Sequence, residues 1–406
     1  MNVLYLTLGI VRDIHQTDIN SSLLREFAKH GHEVYIISPV EHKEKTIIPS
    51  ISYGHVHMHY AKIGNYFNTQ WIEKGITTLF LTKHYINTIK TELNGINFDL
   101  VLYTTPPVTF AGVLKYTKKH YKEAKTFLLL KDIWPKSIAD LDTLRPNSFI
   151  YRYFKFKEQQ MYRYSDYIGC MSPACVKYLL DHNSYIKKET VTVCPNALNF
   201  DDEWNHIALT DQEKQDIRKQ YSIPQDKVVF AFAGNIGHGH DPDFLEEVIN
   251  LNEERNDSFL LFVGKGIYYN RIKAATEQKQ NTKIIPFLPQ DQYLRLMAAC
   301  DVGLITLDHR FTCPNYPSRL LSYLVDCKPV LIAQDSVSDV GPIAEENGYG
   351  YYCESTDSKK FVSLMDRFLD TGKRRDMGLN GYKFLRENYN TARVYTTIMK
   401  LVSNNS

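Results

Sequence analysis

Short apolar or β-branched runs alternate along the chain with stretches whose apolar positions recur every three or four residues. The runs predict strands at 2–8, 33–38, 55–61, 99–104, 126–131, 167–171 and 191–194, then at 228–233, 259–263, 283–285, 302–306, 329–333 and 350–352. The intervening stretches predict amphipathic helices. Such alternation is that of parallel sheets covered by helices, so the expected fold class is α/β. Two series imply two Rossmann-like domains facing across a cleft, with ligands at the carboxyl ends of the strands.

Local signals set the ends of some elements. Asp18 is placed to cap a helix over about 18–30 that turns Leu23, Leu24 and Phe27 to one side and stops at Gly31. From Asn196 to about Lys227 the chain reads as a connector and a charged helix. The stretch 373–402 reads as polar-rich helix with breaks near Gly378 and Gly381, and its Val394, Ile398 and Leu401 recur at helical spacing. No apolar run reaches the ~18–20 residues of a spanning helix. Met1–Leu8 lacks a basic leader and an A-x-A site, so it reads as the first strand and not as a signal peptide.

The length of 406 residues exceeds what one core usually serves, which agrees with two domains. The 7 cysteines are odd in number and form no C-x-x-C, which fits a reducing cytoplasm. A net charge of +2 argues against nucleic acid as a partner. It hides an asymmetry, because the chain carries +7 up to Asn196 and −5 after it. The first half is therefore expected to meet an anionic partner, either a phosphate-bearing substrate or an acidic membrane surface. The stretches 115–122 and 150–157 concentrate that charge. In the second, Arg152, Lys155 and Lys157 alternate with Tyr151, Tyr153, Phe154 and Phe156, a composition suited to a membrane interface.

Glycine turns follow three predicted strands, at Gly9, at Gly234-Asn-Ile-Gly237 and at Gly264-Lys-Gly266. Each leads towards a helix whose free N–H groups would favour an anion. None completes G-x-G-x-x-G, and no Walker motif occurs, so NAD and ATP are not expected. His55, His57 and His59 share one side of a strand, but no nearby carboxylate completes a metal set. Asp140-Leu-Asp142 and Asp241-Pro-Asp243 do not directly follow strand ends. No metal or other cofactor is expected.

The segment from Pro314 to Leu331 contains Pro317-Ser-Arg319 at a helix start and Lys328-Pro-Val330 before a strand. In order along the chain also stand Gly31-His-Glu-Val34, Asp132-Ile-Trp-Pro135, Ser172-Pro173, Pro195-Asn196, Gly234-Asn-Ile-Gly237, Val263-Gly-Lys-Gly266 and Cys300-Asp-Val-Gly-Leu304. Together these resemble the retaining glycosyltransferases of the GT-B fold, family-4 type, over almost the whole chain. Asp132-Ile-Trp-Pro135 resembles the subgroup that builds capsule, exopolysaccharide or O-antigen repeats.

The resemblance implies an acceptor domain over 1–196, a nucleotide-sugar domain over 197–385, and a last helix over about 386–406 that returns to the first domain. It places Gly234, Asn235, Gly237, Gly264, Lys265, Gly266, Pro317, Ser318 and Arg319 around the donor, with Lys265, Arg310 and Arg319 as cations for its diphosphate. Asp132 would be the catalytic carboxylate, orienting the acceptor hydroxyl or stabilising positive charge at the sugar, with Gly9 and Trp134 on the acceptor side. One departure stands out. Pro314 and Ser322 occupy the two positions of the family's Glu-x7-Glu, so Ser322 is left to meet the ribose with a neutral hydroxyl. The implied activity is retaining transfer from a nucleotide-sugar, UDP-linked by family expectation, to a lipid-linked saccharide at the cytoplasmic face of the membrane. A partner glycosyltransferase is a further expected contact. A non-catalytic GT-B partner subunit and a sugar-nucleotide epimerase remain open alternatives.

Overall fold

The apolar runs form the strands of two sheets, one in each of two units: Met1–Asp202 with Tyr389–Ser406, and Glu203–Asn388. The computed structural model describes residues 1–16, 18–44, 48–67, 69–200 and 208–403. The expected connector and returning helix extend into 201–207 and 404–406, which lie outside the described residues.

The first unit runs β1 (Asn2–Leu6), α1 (Ile19–Lys29), β2 (Glu33–Glu41), β3 (Ile51–Tyr53), β4 (Val56–Ile63), α2 (Trp71–Glu92), β5 (Leu100–Thr104), α3 (Ala111–His120), β6 (Lys125–Leu130), α4 (Lys136–Asp140), α5 (Phe149–Tyr164), β7 (Tyr167–Cys170), α6 (Pro173–His182) and β8 (Val191–Val193). Its sheet has the order β3-β4-β2-β1-β5-β6-β7-β8. All neighbours are parallel except β3, which the sequence pattern did not predict and which pairs antiparallel with β4. The chain leaves β1 for β2 on one side and later fills β5 on the other, which makes the β1–β5 edge a topological switch point.

The second unit runs α7 (Asp211–Gln220), β9 (Val228–Asn235), α8 (Pro242–Glu253), β10 (Ser258–Lys265), α9 (Tyr269–Thr276), β11 (Thr282–Pro286), α10 (Gln290–Ala298), β12 (Val302–Thr306), α11 (Arg319–Val325), β13 (Val330–Gln334), α12 (Val340–Glu346), β14 (Gly350–Glu354), α13 (Ser358–Leu364) and α14 (Thr371–Asn388). Its parallel sheet has the order β11-β10-β9-β12-β13-β14, with the switch point between β9 and β12.

The last helix, α15 (Thr391–Ser403), belongs to the first unit. It lies against α1, and Val394, Ile398 and Val402 enter the core formed by Leu23, Leu24 and Phe27 with the sheet residues Val3 and Tyr5. Tyr395 fixes its start, stacking on His30 and hydrogen-bonding His32 Nε2 at 2.8 Å. The breaks expected at Gly378 and Gly381 do not occur, because α14 runs through both. A Cβ on Gly378 would stand 1.8 Å from the Cys327 carbonyl oxygen, so glycine there permits close packing and does not interrupt the helix.

One side chain closes the switch point of the second unit. β9 and β12 pair only at Phe230–Val302 and Ala231–Gly303 and then part. The Tyr323 hydroxyl sits between them, accepting from Ala233 N at 3.2 Å and lying 3.1 Å from the Ala231 carbonyl and 3.3 Å from that of Leu304. Its ring crosses Gly303 so closely that a Cβ there would stand 2.4 Å away.

Two substitutions test these packing arguments. Ile398→Ala should cost about 2–4 kcal/mol in urea unfolding, whereas Lys400→Ala on the exposed side of the same helix should stay within about 0.5 kcal/mol. Tyr323→Phe keeps the ring but strands backbone groups of two strands, and should cost about 1–3 kcal/mol.

Candidate functional site

At the carboxyl edge of the second sheet the two glycine turns lock together. Gly234 pairs with Gly264, whose φ of +153° already favours glycine, and a Cβ on Gly264 would stand 1.8 Å from the Gly234 carbonyl oxygen. Ile236 N donates to the Lys265 carbonyl at 2.8 Å, and Tyr268 N donates to the Ile236 carbonyl at 3.1 Å. A cavity of about 330 Å³ opens beside these turns, walled by Gly234, Asn235, Val263, Gly264, Lys265, Phe287, Leu288, Gln290 and Tyr293. The exposed Phe287 ring lies under the Lys265 ammonium at 4.7 Å. A flat ring beside a cation and bare backbone suits a planar heterocycle carrying negative charge.

Arg319 reaches the same edge from the start of α11. Its guanidinium carbon sits 4.3 Å from the Phe232 ring centroid, and a Cβ on Gly234 would stand 3.4 Å from Nη2. Among the described residues no carboxylate pairs with it, and the buried Nη1 has no hydrogen-bond partner. Burial pulls its pKa below the usual arginine value. A cation held this way is costly unless an anion completes it.

His240 holds Arg319 in place. Its Nδ1 is 2.7 Å from the Thr306 carbonyl oxygen, which can only accept, so Nδ1 carries the proton and Nε2 accepts from Arg319 Nη2 at 3.3 Å. Burial, helped by the Arg319 charge, pushes the imidazole down to about 3, so it is neutral at physiological pH. His240 was not among the residues read as donor-binding. Its role depends on depth, which sequence does not report.

The other expected donor residues divide. Arg310 is committed elsewhere, because its Nε and Nη2 hold the fully buried Asp308 at 2.9 and 2.7 Å. Burial would raise the Asp308 carboxyl, but these hydrogen bonds override it and hold the group below the carboxylate range. Arg310, expected as a cation for the diphosphate, thus already has its charge compensated by Asp308. Pro317 is half-buried, Ser318 and Ser322 are exposed, and none of the three lines the cavity. Gly237 is buried against Asn235, and the half-buried Gly266 packs closely on the Ile236 backbone, shaping the turns from beneath. Lys328 of the Lys-Pro-Val motif is structural, its ammonium donating to the carbonyls of Ala298 and Cys300 at 3.2 and 3.0 Å.

Two of the expected helix-end anion sites are already filled by the protein. Asp18 accepts from Asn20 N and Ser21 N at the start of α1, and Asp241 accepts from Asp243 N and Phe244 N at the start of α8. Asp243 pairs with Arg271, and Asp140 with Lys136, so both D-x-D segments are structural. The histidine strand finds its carboxylates across the fold: His55 and His57 contact Glu33 at 2.6 and 2.9 Å, and His59 contacts Glu92 at 2.8 Å. Among the described residues no group of metal-ligating side chains is formed.

At the carboxyl edge of the first sheet, Gly9 follows β1 and Asp132 follows β6. Asn20 links this edge: its Oδ1 accepts from Tyr5 Oη at 2.7 Å and from Lys131 Nζ at 3.1 Å, and its Nδ2 would stand 2.9 Å from a Cβ on Gly9. Thr105 Oγ1 accepts from Lys131 N and Asp132 N at 2.9 and 3.3 Å and so fixes the turn. Protein crowds Asp132 without covering it, and the resulting desolvation pushes its carboxyl up to about 6. Burial pulls the neighbouring Lys131 ammonium down to about 8. Sequence reading took Lys131 only as the end of a strand, although a lysine closing the apolar run Thr126–Leu130 was the available signal. Trp134 packs edge-on against Phe154 of α5 at 4.6 Å, so Phe154 faces inward and not to an interface.

Comparison with known proteins bears on the fold. Residues 213–384 match the family described as glycosyl transferases group 1. The probable glycosyltransferase WbjE of Pseudomonas aeruginosa is 24% identical over 282 residues, covering 68% of this chain and 66% of that protein. The putative colanic acid biosynthesis glycosyl transferase WcaI of Escherichia coli K12 is 25% identical over 168 residues, 39% of each chain. The chain thus matches less than two thirds of the length of either relative. Among solved structures, Anabaena HepE in complex with UDP-glucose superposes with a TM-score of 0.68 at 14% identity and covers all of both chains. The chain therefore has the GT-B fold, two α/β units built on sheets that are parallel apart from β3, and its residues 213–384 match the glycosyl transferases group 1 family.

Proposed function

We propose that the protein transfers a sugar, with retention of configuration, from a UDP-linked donor to a lipid-linked saccharide in bacterial surface polysaccharide biosynthesis, at the cytoplasmic face of the membrane. The observation that carries this reading is Arg319, a half-buried cation whose buried Nη1 has no hydrogen-bond partner and which has no carboxylate partner among the described residues, set beneath Gly234 at a switch point. A diphosphate supplies the missing charge, and the adjacent cavity with Phe287 and Tyr293 takes the base. Lys265 stands at the rim as a second cation.

Catalysis on this reading is electrostatic. Arg319, aimed in advance by His240, stabilises the charge that grows on the leaving diphosphate, and little reorganisation accompanies the reaction. In the first unit Asp132 meets the acceptor hydroxyl or the positive charge developing on the sugar, and Lys131 and Thr105 hold its backbone and surroundings in place. With its carboxyl near 6, Asp132 exchanges a proton close to neutrality, as a weak general base requires. The nucleotide relative HepE was solved with UDP-glucose, which supports the uridine assignment.

The absence of carboxylates at Pro314 and Ser322 favours a second reading, a non-catalytic GT-B partner that binds nucleotide without turnover. A panel of nucleotide-sugars separates the two. Release or transfer of the sugar supports the enzyme, binding without product supports the partner subunit, and an epimer formed without acceptor would support neither.

Two sets of variants test the assigned residues. Arg319→Ala should weaken UDP binding by about 1.5–3 kcal/mol, roughly ten- to a hundredfold by calorimetry. His240→Gln, which can donate to Thr306 and accept from Arg319, should retain most of that affinity, while His240→Leu should lose it. Unchanged UDP affinity in Arg319→Ala would remove this residue from the site.

Asp132 gives a prediction with opposite signs for stability and activity. Its folded pKa of about 6 lies above the ordinary 3.8, so the folded state binds the proton more tightly and stability falls as pH rises between those values. Asp132→Asn should therefore raise the melting temperature at pH 7.5, with the gain vanishing below about pH 4. The same variant should lose transfer activity, and the wild-type rate should fall on the acid side as pH drops through about 6.

A further inference from the structure

The strongest unexplained feature of the first unit is an apolar stripe on α2 that faces solvent. Trp71 is 80% exposed, Ile72 and Ile76 54% each, Leu79 53% and Phe80 51%. The buried side of the same helix is a separate stripe of Thr77, Leu81, Tyr85 and Ile89. Ile72, Ile76, Leu79 and Phe80 fall within a sector of roughly 100° of the helix, so they form one continuous outward face. Scattered exposed apolar residues need no account, but an ordered stripe of them marks an interaction surface.

α5 carries a second stripe of the same kind. Phe149 is 88% exposed, Ile150 57% and Phe156 54%. Both helices pack beside α3 and against the turn Val108–Phe110 that precedes it, so they flank one surface. In both, the apolar face occupies the first half. α2 follows parallel strand β4 and α5 follows β6, which brings both starts to the carboxyl edge of the sheet, the edge that carries Gly9 and Asp132.

We infer that these two stripes form one docking surface for an anionic lipid bilayer, with α2 as the principal inserting element. The charges around them select this occupant over an apolar protein partner. Lys83, Arg145 and Arg152 are exposed around the stripes, and among the described residues no carboxylate pairs with them. Lys83 continues the α2 face one turn beyond Leu79, and the Lys157 ammonium lies 5.6 and 5.9 Å from the Tyr153 and Phe156 rings, apolar stem down and charge outward. The one acid in the exposed first half of α2, Glu73, is turned back onto Asn65 and Thr69. Rings and aliphatic side chains enter the headgroup boundary while the cations meet lipid phosphates. The basic segment 150–157 is the smaller part of this surface, since Lys155 is tied to the buried Glu158 and Phe154 to Trp134. This deepens the proposed function by showing how the acceptor edge of the first unit reaches a lipid-linked sugar.

Sedimentation of the full chain with vesicles tests it, using phosphatidylcholine alone and phosphatidylcholine with about 30% phosphatidylglycerol. Binding is expected only to the anionic vesicles at low salt, weakened by salt without being abolished. Ile72→Glu with Ile76→Glu should lower partitioning at least tenfold, and Lys83→Glu with Arg152→Glu should lower it and flatten the salt dependence. All four side chains are exposed, so folding should be intact, and UDP affinity measured in parallel should be unchanged. The inference is overturned if the wild type ignores anionic vesicles, if the α2 variant binds them as well as the wild type does, or if ultracentrifugation shows a dimer that the α2 variant dissolves, since a second copy would then be the occupant. Loss of UDP binding by the wild type would instead defeat the proposed donor site and leave the docking result standing.

Discussion

The second unit depends on one hydroxyl. Where β9 and β12 diverge, backbone groups of both strands lose their sheet partners, and an unfilled gap would leave them buried and unsatisfied. Tyr323 Oη fills it from α11 and thereby fixes the axis of that helix against the sheet. Arg319 lies one helical turn earlier on the same face, so the position of the site's central cation follows from a contact that belongs to folding. Gly303 is part of the same arrangement, because any side chain on it would drive the tyrosine ring away.

The two units use charge differently at their sheet edges. In the second, Arg319 is set between an aromatic ring and a neutral imidazole, with its own carboxylates kept elsewhere: Asp308 is occupied by Arg310 and Asp241 by the start of α8. In the first, Asp132 and Lys131 follow one another at the end of β6, and crowding moves each towards its uncharged form. One edge thus presents an uncompensated cation, and the other a carboxyl and an ammonium both shifted towards neutrality. That division suits a reaction in which a diphosphate departs and a hydroxyl is deprotonated.

The strands were legible because each is a short apolar run closed by glycine, proline or charge. β3 was not, since Ile51-Ser-Tyr53 is only three residues long and owes its existence to β4, reached through Gly54-His55. The limits of α2 were also hidden: apolar residues on its exposed side mask the period that the buried stripe alone would show. In the candidate site the glycine turns could be read from the ends of the apolar runs, whereas Arg319 was placed only by the family resemblance of its motif. The capture of Arg310 by Asp308, two residues away, could not, because an ion pair that close looks like any polar loop. The roles of His240 and Tyr323 were hidden for another reason, as His240 acts through Thr306 and Arg319, 66 and 79 residues away, and Tyr323 bridges Ala231 and Ala233, 92 and 90 residues away, to Leu304.

The contact between Gly234 and Gly264 bears on how the pocket can evolve. Two strand ends that meet with no room for a methyl group form a floor on which neither residue can be exchanged without separating β9 from β10. Variation is therefore confined to the wall made by Phe287, Leu288, Gln290 and Tyr293, which comes from the end of β11, α10 and the loop between them and can change side chain by side chain. Side chains on that wall can be exchanged while the backbone floor stays fixed, so the shape of the cavity and the spacing of the two turns are heritable as separate traits.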